Sequence, residues 1–196
     1  MKKFELISEF VTNVFGKKLF RIKALVSFGD VSAGELGGFV EKEENLSNNG
    51  NAWVSGNAQV SGNAQVSDNA WVSGNAWVSG NARVSGDAWV SGDALVSGNA
   101  QVSDNARVSG NAQVSGDADF SVVTGFGRFF RATTFFRCKD KILRVQCGCF
   151  YGDLAKFREI VKKTHGDSKY AKEYLAIADL MELHFSDEEE NQEADK

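Results

Sequence analysis

The 196-residue sequence contains no proline, only two histidines and three cysteines, and no long hydrophobic run. No apolar stretch approaches the roughly 20 residues that a membrane-spanning helix needs, so we expect no membrane partner. The basic start has no continuous apolar segment because Glu5 and Glu9 interrupt it, which argues against a secretory signal. An odd number of cysteines does not favour a disulfide framework. These features predict a soluble, cytoplasmic protein.

The sequence also lacks an excess of positive charge. Its formal net charge of -4 does not suggest a dedicated nucleic-acid binder, so we expect no sequence-specific nucleic-acid recognition. The aromatic residues are distributed unevenly, with all four tryptophans between Trp53 and Trp89 and fourteen of the fifteen phenylalanines outside the repeats described next. The chain is therefore a composite, in which two aromatic-rich ends flank a repetitive middle.

The middle of the chain repeats a hexapeptide in which valine recurs every six residues and alanine lies two residues before it. The hexads start at Asn51, and Phe120 takes the place of the twelfth valine. Six residues turn a helix through about 600°, so the valines would spiral around its surface. A short strand followed by a tight turn fits better, because Ala and Val then point to one side and Ser-Gly-Asn or Ser-Gly-Asp supplies the turn.

This pattern resembles the hexapeptide repeat of the left-handed parallel β-helix, a family in which three hexads form one triangular coil. The resemblance covers residues 49–121. It implies a mainly β protein whose twelve hexads form about four coils. We predict an N-terminal β-hairpin cap over 1–48, the left-handed β-helix over 49–124, a C-terminal ββαα module over 125–185 and an acidic disordered tail over 186–196.

The residue between Ala and Val is predicted to face outward, and reading every eighteenth residue collects these positions into three faces. The first face carries Trp53, Trp71, Trp89 and Arg107. The second face carries the apolar pair Trp77 and Leu95. Exposed apolar stripes are usually covered, so we expect self-association as a dimer or trimer, or a chain end folded over the stripe. The alternatives are a recognition surface for a foreign partner or a platform that stacks a nucleobase.

Many hexapeptide-repeat proteins are acyltransferases, and these enzymes resemble each other in placing histidines on or beside the coils. Here His165 and His184 both lie outside the repeat, and no loop interrupts the hexads. The coils therefore have no nearby candidate base and no histidine cluster for a metal. We predict a non-enzymatic protein, and an acyltransferase-like hexapeptide-repeat enzyme is the alternative.

Both ends of the chain resemble segments of uncharacterised bacterial and prophage proteins. The motifs are Gly37-Gly38-Phe39-Val40 and Asn45-Leu46-Ser47 before the repeat, and Thr133-Thr134-Phe135-Phe136 and Cys147-Gly148-Cys149-Phe150-Tyr151-Gly152 after it. The resemblance implies a phage-related origin and no established activity. From it we hypothesise inhibition of a bacterial defence system, through a host protein or a nucleotide signal, with a structural virion or assembly component as the alternative.

The C-terminal module carries a candidate anion site. Arg128 and Arg131 flank two phenylalanines and precede Thr133 and Thr134, and Arg137 follows. Arginines beside hydroxyl groups and aromatic rings suit a phosphate or nucleotide ligand. The alternative is that these arginines face solvent or pair with the acidic tail.

The three cysteines are the remaining candidates for chemistry. Cys138, Cys147 and Cys149, together with His165, lack the Cys-x2-Cys spacing of a strong zinc site. Free cysteines are usually buried as small hydrophobic residues. We therefore predict no metal and no cofactor, and the sequence leaves zinc binding by these cysteines open.

Overall fold

The structure is a computed structural model that describes residues 2–116 and 119–186. Within these residues, strands of four to nine residues lie before and after the repeat, two-residue strands lie inside it, and two helices follow the last strand. The outer elements are β1 (Phe4–Thr12), β2 (Lys18–Ala24), β3 (Leu36–Val40), a 3-10 turn (Glu43–Asn45), β15 (Phe120–Val123), β16 (Thr133–Arg137), β17 (Leu143–Cys147), β18 (Phe150–Asp153), α1 (Leu154–His165) and α2 (Lys169–His184). The two-residue strands of the repeat are β4 (Trp53–Val54), β5 (Gln59–Val60), β6 (Gln65–Val66), β7 (Trp71–Val72), β8 (Trp77–Val78), β9 (Arg83–Val84), β10 (Trp89–Val90), β11 (Leu95–Val96), β12 (Gln101–Val102), β13 (Arg107–Val108) and β14 (Gln113–Val114).

The repeat forms a parallel β-solenoid with three sheets. Each short strand pairs with a strand three hexads away, as Trp71 does with Trp89 and Val72 with Val90. The sheet orders are β4-β7-β10-β13, β3-β5-β8-β11-β14 and β6-β9-β12. Alanines and valines of the hexads fill one continuous core, with almost no exposed surface. This confirms the mainly β fold of about four turns that the period predicts.

The N-terminal segment caps the first turn of the solenoid. The predicted hairpin is present as β1 and β2, and β3 extends it into a three-stranded antiparallel sheet. Strand β3 then pairs in parallel with β5 through Phe39 and Gln59, so one sheet runs from the cap into the solenoid. An open solenoid end exposes unpaired strand edges, and this cap covers one of them.

A buried lysine completes the cap. The Lys3 ammonium donates to the carbonyls of Ala52 at 2.8 Å and Gly50 at 3.3 Å, and it lies 4.6 Å from the centre of the Phe28 ring. Burial disfavours the charged form and lowers the pKa of Lys3 from 10.5 to about 8. Lys3 therefore loses its proton at lower pH in the folded protein than in the unfolded chain.

This difference predicts a pH-dependent stability. Between pH 8 and about 10.5 the unfolded chain holds the Lys3 proton and the folded protein does not, so rising pH favours the folded state. We expect the unfolding free energy of the wild type to rise across this window relative to that of Lys3→Met, as measured by urea denaturation at several pH values. Lys23→Met, on strand β2, should follow the wild type. Parallel curves for wild type and Lys3→Met would contradict the assignment.

The C-terminal end contains more strands than the sequence predicts. The expected hairpin forms from β16 and β17, with Thr133 opposite Cys147. Two further strands flank it, giving an antiparallel sheet in the order β15-β16-β17-β18. Phe120, predicted to close the twelfth hexad, lies in β15 and pairs antiparallel with Phe136. Residues 120–123 thus join this sheet and not a further coil, because the sheet closes the second open end of the solenoid.

The two helices pack on the C-terminal sheet and form a second core. Asp153 caps α1 by accepting from the amide of Lys156, and Gly166 ends the helix with a φ of 55°. The rings of Phe135 and Phe157 meet edge to face at 6.1 Å in this core. Neither helix of the described chain is both long and apolar enough to cross a bilayer. Of the acidic tail predicted over 186–196, residues 187–196 lie outside the described residues.

Candidate binding cleft

An open cleft of about 920 Å³ lies where the first solenoid face meets the C-terminal module. Its solenoid wall consists of Asp87, Trp89, Asn105 and Arg107, and its opposite wall includes Phe129, Phe130, Arg131, Gly148 and Cys149. The sequence predicts the tryptophan face and the arginine loop as two separate candidate sites. The fold brings part of each into one site.

The solenoid wall presents an arginine stacked on a tryptophan. Trp89 and Arg107 are neighbours across the β10–β13 pair. The guanidinium carbon of Arg107 lies 5.4 Å from the centre of the Trp89 ring. Trp71, on the neighbouring strand at the other side of Trp89, stacks on it with the ring centres 6.5 Å apart. Trp89 remains 49% exposed. The ring thus holds the guanidinium in place while the wall stays open to a ligand.

The exposure of the three tryptophans on the first face increases along the solenoid from Trp53 to Trp89. Trp53, predicted to face another molecule or a chain end, is completely buried because the N-terminal cap covers it and the Phe28 ring meets it at 5.5 Å. Trp71 is half-buried and donates to the Ser55 hydroxyl at 3.1 Å. The prediction that Trp53 contributes to an oligomer or partner interface is therefore wrong. A chain end covers it, which was the other expectation.

The wall formed by the C-terminal module includes a loop with two solvent-exposed aromatic side chains. Phe129 and Phe130 are 63% and 70% exposed. Phe130 has a φ of 52°, in the left-handed region that costs an ordinary residue about 1–2 kcal/mol. Strained backbone residues cluster at functional sites, and exposed apolar patches mark interaction surfaces. This loop is therefore the strongest single indication of a binding site.

Arg131 is positioned by the same loop. Its guanidinium carbon lies 5.0 Å from the centre of the Phe129 ring, and that of Arg128 lies 5.5 Å from it. Gly148 has a φ of 58°, and a side chain there would approach an Arg131 nitrogen to 2.7 Å. A glycine at this turn thus leaves room for the arginine.

The base of the loop is anchored to helix α2. The amide of Gly127 donates to a Glu173 carboxylate oxygen at 2.9 Å. A Cβ at residue 127 would collide with the Tyr174 hydroxyl group. Burial and the neighbouring Cys147 raise the pKa of Tyr174 to about 12, which keeps this hydroxyl group neutral. These contacts fix the base of the loop to α2 at Gly127.

The charges in the cleft favour an anion. Within residues 2–116 and 119–186, no carboxylate forms an ion pair with Arg107 or Arg131. The lining contains one carboxylate, Asp87, which accepts from the Asn69 amide at 3.0 Å. Two unpaired guanidinium groups against one carboxylate leave a net positive lining.

Three residues predicted for the anion site have other roles. Thr134 is buried and accepts from the Arg107 amide at 3.0 Å, and buried Thr133 donates to the Cys147 sulfur at 3.2 Å. Arg137 donates to the Phe185 carbonyl at 3.0 Å. The Thr134 contact joins the module to the solenoid, the Thr133 contact lies within the C-terminal sheet, and the Arg137 contact reaches the residue that follows α2. None of the three residues lines the cleft. Of the residues predicted for the anion site, Arg131 lines the cleft, and Arg128 lies next to it on the Phe129 ring.

The second apolar face lies apart from the cleft. Trp77 and Leu95 are neighbours across the β8–β11 pair and are half-buried. They line a separate depression of about 350 Å³ together with Lys139. This face therefore remains a candidate for self-association.

The candidate metal and catalytic residues are dispersed. Cys138 is buried, which raises the pKa of its thiol, whereas Cys149 is exposed in the cleft. Among the described residues no group of three or more His, Cys, Asp or Glu side chains is arranged to hold a metal. The ring of His165 lies 5.8 Å from that of Tyr174, and the ring of His184 lies 4.8 Å from that of the adjacent Phe185.

Asp87 and Asn105 are lining residues that sequence reasoning missed, and Cys149, which it named as a possible zinc ligand, was not assigned to this cleft. Each occupies an ordinary turn position in its own segment, and only the docking of the module selects it. One usable signal was available, because Arg107 ends the first outward face and must therefore lie beside whatever caps the solenoid.

Comparison with known proteins supports the repeat. The family model described as the YdcK Beta solenoid repeat matches residues 58–74, 64–80, 76–92 and 100–116, all inside the solenoid. No curated protein matches the chain significantly. The repeat region is thus similar to the YdcK solenoid repeat, which supports a repeat β-solenoid family for this part of the chain.

Proposed function

We propose that this protein is a non-enzymatic binding protein whose cleft holds a phosphate-bearing ligand. The observation that carries the proposal is the convergence of Arg107 and Arg131, from two different parts of the fold, on one open cleft. Guanidinium groups present paired N–H donors that match phosphate oxygens. Both groups stack on aromatic rings, so little further ordering is needed when a ligand binds.

Binding is favoured over turnover by the chemistry of the cleft. An acyltransferase of the hexapeptide type would need a histidine beside the coils. His165 and His184 instead belong to α1 and α2 and pack on neighbouring rings. The cleft offers Asp87 and Cys149 as its acid and thiol, with no described histidine between them to transfer a proton.

The resemblance of both chain ends to bacterial and prophage proteins supports a phage-related origin for this binding protein. We infer that the protein acts in the bacterial cytoplasm as an inhibitor of a host defence system, by holding a phosphate-bearing signal. A host protein is the second candidate occupant, because Phe129 and Phe130 are exposed like hot-spot residues of an interface. Self-association through Trp77 and Leu95 as a dimer or trimer is part of the same proposal, and light scattering tests it.

Calorimetric titration with pyrophosphate tests the proposal. We expect binding by the wild type and at least a tenfold loss in Arg107→Gln and in Arg131→Gln, since a hydrogen bond to a charged group contributes about 1.5–3 kcal/mol. Arg83→Gln is the matched control, because Arg83 holds the same repeat position as Arg107 on another face. Absence of binding, or an equal loss in Arg83→Gln, would contradict a phosphate site in the cleft.

A further inference from the structure

The cleft is larger than a phosphate group requires, and its lining offers more than phosphate-binding groups. A volume of about 920 Å³ is in the range of sites for whole small molecules. Beyond the two arginines, the lining offers aromatic surface and hydrogen-bonding groups. The ligand should therefore carry a flat ring and polar groups in addition to its phosphate.

Phe130 provides the free aromatic surface. The ring of Trp89 is already flanked by Trp71 and Arg107, and that of Phe129 by two guanidinium groups. Phe130, by contrast, is 70% exposed and lies on the wall of the cleft. A base stacked on an aromatic ring gains affinity with little dependence on base identity. Phe130 is thus the residue placed to receive a base.

The corner of the solenoid supplies hydrogen-bonding groups. Oδ1 of Asp87 accepts from Asn69, and no described residue donates to Oδ2. Asn105 lies at the equivalent corner one turn later and also lines the cleft. A carboxylate oxygen in such a place accepts hydrogen bonds from sugar hydroxyl or base amino groups.

We infer that the ligand is a nucleotide, with its base stacked on Phe130 and its phosphates held by Arg107 and Arg131. The inference rests on the proposed phosphate-binding function and adds the chemical class of the ligand. It assigns the strained, exposed ring to base recognition and the corner carboxylate to the hydroxyl or amino groups.

The test compares ADP with pyrophosphate by calorimetry on three proteins. The wild type should bind ADP about tenfold more tightly than pyrophosphate, as expected for one stacked base. Phe130→Asn should remove this advantage and leave pyrophosphate binding unchanged, since asparagine tolerates the left-handed backbone. Phe126→Asn is the control, because Phe126 is an exposed ring in the same loop that does not line the cleft. Phe130→Tyr should keep the advantage.

The outcomes separate the inference from the function on which it rests. Equal affinity for ADP and pyrophosphate in the wild type, or an ADP advantage that survives in Phe130→Asn, overturns the nucleotide assignment and leaves the phosphate site standing. Failure of both ligands to bind overturns both. An unchanged melting temperature of Phe130→Asn shows that the variant is folded, as its exposed side chain predicts.

Discussion

Replacing Trp53 with alanine should lower the free energy of unfolding by about 3 to 4 kcal/mol, whereas the same change at Trp89 should lower it by only about 1 kcal/mol. Both residues hold the same position of the repeat and differ only in what covers them. Trp53 is completely buried under the cap, and Trp89 is 49% exposed. The Trp53 indole N–H has no hydrogen-bond partner in the described structure, so its loss removes an unsatisfied donor and keeps the cost below the top of the usual range.

Urea denaturation followed by circular dichroism measures this series, and the three tryptophans act as controls for one another. Trp71→Ala should fall between the other two variants, because Trp71 is half-buried and bonded to Ser55. Equal losses for Trp53→Ala and Trp89→Ala would show that the cap does not cover the first turn.

Gly37→Ala should destabilise the protein by about 3 kcal/mol, because the cap leaves no room for a methyl group. A Cβ at Gly37 would lie 2.5 Å from a carbon of Ile22, 2.6 Å from the Val54 carbonyl oxygen and 2.7 Å from the Trp53 ring. Two of these neighbours are buried side chains and the third is backbone, so none can move without shifting the cap.

Gly116→Ala is the matched control for this substitution. A Cβ at Gly116 would meet no atom of the described residues within 4 Å, so the change in unfolding free energy should stay within about 0.5 kcal/mol. Thermal unfolding of the two variants gives the comparison. A Gly37→Ala protein as stable as Gly116→Ala would mean that the cap is loosely packed on the solenoid.

The solenoid was predictable because its information is local. The hexads from Asn51 to Gly116 each place Ala and Val on one side of a short strand, and the structure buries these residues along one core. The pairing of β16 with β17 was predictable for the same reason, since two strand-forming segments flank a short turn. In both cases a segment of fewer than 20 residues contains the pattern that decides the structure.

The caps and the cleft were not predictable in this way because they depend on distant contacts. Trp53 and Trp89 have the same local pattern, and only the N-terminal sheet distinguishes them. Phe120 continues the hexad spacing and still joins the antiparallel sheet through Phe136. The meeting of Arg107 with the module depends on docking contacts between distant segments, such as those from the Arg107 amide to Thr134 and from Ser109 to Gln146, which no spacing rule reveals.

Hydrogen exchange with and without saturating pyrophosphate tests the central claim most directly, since it locates the ligand on the whole chain. The account predicts slower amide exchange in the loop at residues 124–132 and at the turn around Gly148, which together form the module wall. The segment around Lys139, beside the Trp77 face, should exchange at the same rate in both states. Protection confined to that face, or no protection anywhere, would contradict a ligand site between the solenoid and the C-terminal module.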